Sequence, residues 1–449
     1  MNKRLSDASL LAAISAAEET ALGAVQGQVS ADRADAIDRY YGKPYGDEQP
    51  GRSSVVSRDV ADVVEGVVAN VVKPFVGGDR IVQFDPITED DEDQATQETD
   101  YVNFVALERN NGFVWLVSAI KDALLLRTGY VKCQWEVRSD QITETYSGLS
   151  DEELALLMEG DEVEIIEHSE YPDPMAQMMP QPPAAPAMAM MQGQQPGAQM
   201  PPPMPMLHDV KVRKSRPTEY VRVDPVPPSE VLVSTRTRQP SLQDTDFVQH
   251  RPMKSLSELR QAGYKVDDDI SDDDSGRDIE ETSRQRFGTS HDIYSDDAIN
   301  DASRRMVRFK ETYLRIDRDG DGVAELRRIC SVGQNLLSDE ECDIVGIASF
   351  SGVLVPHQHL GLSAYDMVED VAKIKTALMR SFLDNRYLQN NGRFAINVDQ
   401  VNTDDFLVSR PGGVVRVEGD PNGAIMPLMS PDTSSGALMG LEYLDSIRE

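Results

Sequence analysis

From Leu362 to Asn391 the chain runs for about thirty residues with neither glycine nor proline, and at 1.5 Å per residue this predicts a helix roughly 40 Å long. Met367, Val371, Ile374, Leu378 and Leu388 fall on or near one apolar stripe of such a helix, while Asp366, Lys373, Arg380 and Asp384 fall along another. One face can pack while another meets water. Two readings stay open. The helix is either an ordinary bundle member, with pairs such as Glu369 with Lys373 or Arg380 with Asp384, or a wall element whose polar stripe lines an aqueous passage.

Beyond it, Phe394 to Val398, Phe406 to Val408 and Gly413 to Val417 read as short strands around a turn at Pro411-Gly412-Gly413. A second helix is predicted from Ser434 or Ser435. Leu438, Leu441, Leu444 and Ile447 keep helical spacing up to Glu449 with no stop signal, so the native chain is expected to continue.

Upstream, Ser6 to Val25 and Ser30 to Tyr41 read as helices, followed by an ordered loop at 42–51. Ser57 is placed to cap a buried helix through Val72, with Pro74 marking its end, and Arg80 to Asp85 reads as a strand. A longer helix from about Glu92 to Leu126 is interrupted near Asn110-Asn111-Gly112. Strand patterns recur at Tyr130 to Trp135, Glu162 to His168, Asp209 to Lys214, Tyr220 to Val223, Glu230 to Ser234, Met306 to Ile316 and Val323 to Val332. Ser255 with Glu258 forms a capping-box pattern. The fold class is α+β.

Two stretches do not fit a regular core. Residues 172–206 are dominated by Pro, Met, Gln and Ala and read as a flexible insertion in a hairpin, although their methionines also suit a partner groove or a soft metal. Residues 265–302 open with six aspartates between Asp267 and Asp274 and read as a second, acidic insertion.

Charge narrows the function classes. The 449 residues include 44 Lys and Arg against 77 Asp and Glu, a net charge of −33, which argues against a general polyanion binder because neutralising phosphates takes a basic surface. Cys133, Cys330 and Cys342 are too dispersed for a disulfide framework or a CxxC site and are expected to be core thiols in a reducing compartment. Leu10 to Ala17 is too short and too closely flanked by acidic residues for a signal peptide. Val55 to Val76 carries Arg58, Asp59, Asp62 and Glu65 in its first half and is no membrane span.

Asp317, Asp319, Asp321 and Glu325, with Gly322, match the first half of a calcium loop. Its twelfth position would be Arg328 instead of a bidentate Glu, and strand-like sequence flanks it. The alternatives are a polar β-turn and a weak structural calcium site. His357 and His359 make a lone HxH, more simply structural than metal-binding. No phosphate-loop, nucleophile-elbow or zincin signature occurs, so neither catalytic residues nor another cofactor are expected.

The order of long helix, small α/β excursion and returning helix resembles the stem, clip and stem of tailed-bacteriophage portal proteins. More specific are Tyr45-Gly-Asp-Glu-Gln-Pro-Gly-Arg-Ser-Ser-Val-Val-Ser-Arg-Asp-Val60, Asn110-Asn-Gly-Phe113, Asp319-Gly-Asp-Gly-Val-Ala-Glu-Leu326, Ile374-Lys-Thr-Ala-Leu378, Arg410-Pro-Gly-Gly-Val-Val415 and Leu441-Glu-Tyr-Leu-Asp-Ser-Ile-Arg448. These look like the portal family of short-tailed phages, over about Tyr40 to Glu449 without the two insertions.

The resemblance implies a homo-oligomeric ring of about twelve subunits at one capsid vertex of the virion. It would be assembled in the host cytoplasm, touch no membrane and have no enzymatic role. Double-stranded DNA would pass through it, without sequence specificity, in packaging and ejection. By analogy residues 1–361 form an α/β wing, 362–392 a stem helix, 393–430 a clip and 431–449 a returning stem helix, expected to be truncated relative to family members that continue into a tunnel loop and a crown or barrel. Lys373, Lys375, Arg380 and Asp384 are then candidates to face DNA. Arg393, Asp404, Asp405 and Arg410 are candidates to meet terminase and head–tail adaptors. Major capsid and scaffolding proteins are the further implied partners. About twelve copies would sum to roughly 400 negative charges, a repulsive surface along which DNA slides instead of sticking. Another ring-forming head–tail adaptor, a calcium-binding structural module and a hydrolase with scattered catalytic groups are the competing readings.

Overall fold

The valine run after Asp59 shows how the sequence builds its core. Val60, Val64, Val68 and Val72 recur every four residues and are buried, whereas Val67 and Val71, along the edge of that stripe, are exposed. In the computed structural model the described residues are 5–25, 28–78, 80–88, 91–158, 163–172, 206–268, 270, 302–408, 410, 412–428, 431–432 and 434–448. Apart from their edges, the two expected insertions lie outside them. The chain divides into two compact units, Met1–Gln134 with Val223–Glu449, and Trp135–Arg222.

The first unit opens with α1 (Asp7–Val25), α2 (Gln28–Tyr41) and α3 (Asp59–Val76). Ser57 is not the cap of α3: its hydroxyl donates to the Asp59 carboxylate and its N–H to Thr376 Oγ1 at 3.1 Å. Pro74 lies inside the last turn of α3 rather than beyond it. Arg80 to Asp85 is extended but joins no sheet. The N–H groups of Ile81 and Val82 donate to Asn103 Oδ1 at 2.6 and 3.1 Å, and that of Phe84 to Thr99 Oγ1 at 3.0 Å, so helix side chains replace a strand partner.

The interrupted helix is α4 (Glu92–Asn103), a π-helical turn at Phe104–Arg109, and α5 (Gly112–Leu126). Asn111 adopts a left-handed conformation, φ 52°, and a Cβ on Gly112 would stand 2.7 Å from Leu107 Cα, so both residues of Asn-Gly are used. The wide turn frees carbonyls that side chains recover: Asn110 Nδ2 donates to the Val105 carbonyl and Trp115 Nε1 to that of Ala106. α3 and α5 pack through Val64, Val68, Leu116, Ile120 and Leu124, and Tyr365 joins the same core.

The strand β1 (Gly129–Leu149) starts in the first unit and continues into the second. That second unit also holds α6 (Asp151–Met158), β2 (Val163–Pro172) and most of β3 (Met206–Val226), in strand order β1-β3-β2.

The first unit resumes with β4 (Val231–Val233), β5 (Phe247–His250), β6 (Met253–Ser255), α7 (Leu256–Gln261), β7 (Met306–Ile316), β8 (Glu325–Val332), β9 (Asn335–Glu341) and β10 (Ile347–Phe350). The capping box of Ser255 and Glu258 opens α7. One antiparallel sheet runs β4-β5-β7-β8-β9 with β6 also on β7, and β10 pairs with Gly129–Lys132 of β1. α1 covers one region of the sheet through Leu10, Ile14 and Ala21 against Leu232, Phe247, Leu314 and Ile329.

A charge sits inside this layer. Glu311 of β7 is 1 % exposed and is held by Lys132, by Arg328 Nε at 2.7 Å and by the Tyr313 hydroxyl at 3.1 Å. Burial pushes its carboxyl up, but the two cations and their hydrogen bonds outweigh that and bring it down to about 2. Of the cysteines only Cys330 is a core thiol; Cys133 is exposed and Cys342 half-buried.

The long helix is α8 (Ala364–Asn390), opened by a reciprocal capping box between Ser363 and Asp366. The excursion after it contains β11 (Arg393–Ile396), α9 (Thr403–Leu407), α10 (Pro421–Ala424) and β12 (Ile425–Leu428), and α11 (Ser434–Arg448) returns alongside α8. Two expected strands are corrected. Phe406 lies in α9 because Asn402 caps the N–H groups of Asp404 and Asp405, and Gly413 to Val417 contributes only a bridge from Val417 to Val401. The true partner of β11 is β12. The architecture is α+β, and among the described residues no single helix is long and apolar enough to cross a membrane.

Candidate functional site

The polar stripe of α8 faces its own chain. Arg380 Nε donates to the Val55 carbonyl at 2.9 Å, and its guanidinium also holds Asp47, at 2.8 Å, and Glu48. Asp384 Oδ1 accepts the Ser53 N–H at 2.6 Å, and Thr376 accepts that of Ser57. The segment between α2 and α3 is thus laid along the helix by polar bonds. Its backbone has no strand or helix partners there, so side chains of α8 satisfy it.

Lys375 ties three helices. Its ammonium meets Asp59 Oδ1 of α3 at 2.8 Å and Asp445 Oδ1 of α11 at 2.5 Å. Burial alone would push this lysine down; the Asp445 and Asp59 carboxylates outweigh it and hold it above its ordinary value. Gly440 lets α11 come close, since a Cβ there would stand 3.2 Å from Leu378 Cδ1, and Asn385 donates to the Pro431 carbonyl.

Of the four residues expected to face a channel, Lys375, Arg380 and Asp384 are therefore engaged within the chain. Lys375 and Arg380 are each 14 % exposed, whereas Lys373 is 50 % exposed and pairs with Glu369 one turn away. The expected pair of Arg380 with Asp384 gives way to contacts with the 42–58 segment. Periodicity put these residues on one stripe but carried no signal of what would cover it.

Exposed apolar side chains remain on both helices. Met367 and Ile374 stand seven residues apart on α8; Met439, Tyr443 and Ile447 stand four apart on α11. Among the described residues these side chains stay exposed.

In the excursion, Phe394 and Phe406 meet edge to face, and Arg416 forms a two-pronged pair with Asp405 at 2.5 and 3.1 Å. Of the residues expected to bind partners there, Asp405 is thus occupied, while Arg393, Asp404 and Arg410 are exposed. Sequence reasoning, attending to charge, passed over Val398, Leu407, Val408 and Val414, all at least 61 % exposed.

The Asp317 turn is closed by its own carboxylates. Asp317 accepts from Gly320 and Gly322 N–H at 2.6 and 2.9 Å, Asp319 from Asp321, Asp321 from Val323, and Glu325 from Arg318. Asp317, Asp319 and Glu325 bring carboxylate oxygens within 4.8 Å of one another, and Asp321 stands outside that group. A cation here would have to share oxygens already used by the backbone. His359 is structural: its ring reaches the Tyr130 hydroxyl at 2.9 Å and the Gln239 carbonyl at 3.2 Å, and His357 lies apart from this bonding in a left-handed turn.

The cross-tied helix pair carries a small β knob and exposes apolar stripes. The family model for the phage SU10 portal protein matches residues 10–449, and the chain belongs to that family. It is a bacteriophage portal protein. Family membership brings a homo-oligomeric ring, association with the capsid at the portal vertex of the virion, and a structural rather than enzymatic role. A comparison with curated proteins returns no match.

Proposed function

We propose that the protein forms a ring of about twelve subunits that serves as the conduit for double-stranded DNA in packaging and ejection. In this reading residues 1–361 are the wing, 362–392 and 431–449 the stem helices, and 393–430 the clip. The observation that carries it is the α8–α11 pair. Lys375 locks the two helices together, yet Met367, Ile374, Met439, Tyr443 and Ile447 stay in solvent, and a second copy of the same pair is the neighbour that covers them.

Of the four stem residues first considered for the channel, Lys373 is the cation left for DNA, while Lys375, Arg380 and Asp384 keep the wall rigid. Against a surplus of 33 negative charges per subunit, an exposed ammonium paired to Glu369 guides the phosphate backbone without holding it. Neither a cofactor nor a catalytic residue enters this role. The wing meets major capsid and scaffolding proteins, and assembly takes place in the host cytoplasm.

The clip receives terminase during packaging and head–tail adaptors afterwards, through the apolar tip of Leu407, Val408 and Val414, with Arg393, Asp404 and Arg410 on its polar surround. Leu407→Asp with Val414→Asp tests this. Rings of normal size that no longer capture terminase are the expected result; undiminished capture would remove the clip tip from the interface.

A further inference from the structure

In the unit of residues Trp135–Arg222, two histidines and a glutamate share one face of a strand pair. β2 and β3 are antiparallel with Glu170 directly opposite His208, and His168 precedes Glu170 by two residues. The two-residue period of a strand therefore brings all three side chains to the same side. His168 Nε2 lies 2.9 Å from His208 Nδ1, and Glu170 Oε1 lies 3.9 and 4.0 Å from those nitrogens.

The remaining nitrogen of His208 decides what the cluster offers. Nε2 is 2.6 Å from Asp151 Oδ1, at the start of α6. The carboxylate takes the N–H from that side, which leaves Nδ1 with its lone pair toward His168 and Glu170. A carboxylate behind a histidine is the arrangement that orients metal-binding imidazoles. His208 is 5 % exposed, so its ring is held in place, while His168 and Glu170 open to solvent.

We propose that His168 Nε2, His208 Nδ1 and Glu170 Oε1 bind one divalent transition-metal ion, Zn²⁺ by the chemistry of the donors, with water in the fourth position. Two neutral imidazoles and one carboxylate suit a borderline ion; calcium and magnesium ask for an all-oxygen shell. Zn–N bonds of about 2.0 Å in a tetrahedron set the nitrogens roughly 3.3 Å apart, so the rings part by a few tenths of an ångström. Without metal, His168 Nε2–H donates to His208 Nδ1. Binding at Nε2 places the single N–H of the neutral His168 ring on Nδ1, so the ion is taken up without net loss of a proton. The cluster stands beside the Pro172–Met206 pair, the last rung of the β2–β3 ladder, so the ion staples the two strands where the chain departs between them.

The test uses the untagged full-length protein, stripped with chelator and returned to chelator-free buffer. Calorimetric titration with ZnCl₂ is expected to give one ion per chain at micromolar or tighter affinity. CoCl₂ is expected to give the visible absorption of four-coordinate cobalt. His168→Gln, at an exposed position, is expected to lose at least about 100-fold in affinity and the cobalt spectrum; Asp151→Asn should lose about 10- to 100-fold. Asp317→Asn, in the acidic turn, should change nothing. Absence of stoichiometric binding, or Zn²⁺ binding unaltered in His168→Gln, would overturn the assignment.

Discussion

Arg127 and Asp366 meet as a two-pronged pair, Nε to Oδ2 at 2.8 Å and Nη2 to Oδ1 at 2.6 Å, and this fastens the first turn of α8 to the end of α5. The same guanidinium reaches Asp32 of α2 at 2.9 Å. Arg127 does this from a left-handed backbone, φ 73°, at the C-cap of α5, a position where glycine is the relaxed choice. The side chain is kept there for its contacts with the stem, against the preference of the backbone.

Arg127→Gly separates the two effects. It relieves the backbone and deletes both ion pairs, and because Arg127 and Asp366 are largely buried the loss dominates: a destabilisation of about 1–3 kcal/mol is expected in chemical denaturation. Arg127→Lys should recover little of it, since an ammonium cannot span both carboxylate oxygens.

Lys375 has one buried partner and one exposed one. Lys375→Met takes the cation from Asp59, which is 2 % exposed and keeps the Ser57 hydroxyl but loses this ammonium, and is expected to cost about 3 kcal/mol. Asp445→Asn removes a half-exposed partner and should cost less than about 1 kcal/mol. Equal costs in a denaturation series would contradict the role given to Lys375 as the tie between α3 and α8.

Acid stability should report Glu311. Its carboxyl titrates at about 2 when folded, against an ordinary value of 4.5, so between these values the unfolded chain binds the extra proton. The stability it contributes is complete above about pH 4.5 and is lost as the pH falls toward 2, on the order of 3 kcal/mol in all. Glu311→Gln is expected to flatten stability against pH in that window; an unchanged slope would show that Glu311 does not carry it.

Much of the fold was legible where local chemistry decides alone. The absence of glycine and proline marked α8, Asn111-Gly112 marked the break before α5, Ser255 with Glu258 opened α7, and alternation set the bounds of β7. Long-range pairing was not legible. Arg80 to Asp85 has strand composition but bonds to helix side chains, and β12 was missed because Pro427 weakens the strand pattern of its four residues. The family resemblance was readable in short motifs, and the family is now shown over residues 10–449. At the stem, spacing identified a polar stripe but not the 42–58 segment that occupies most of it. The histidine cluster was hidden because its members lie 40 residues apart and meet only through strand register.

The most direct test of the conduit is single-particle electron microscopy of the purified full-length protein. The expected image is a closed ring of about twelve copies around a hole wide enough for duplex DNA, with α8 and α11 side by side in its wall. Monomers with α8 and α11 facing solvent, or a closed oligomer without a central opening, would contradict it.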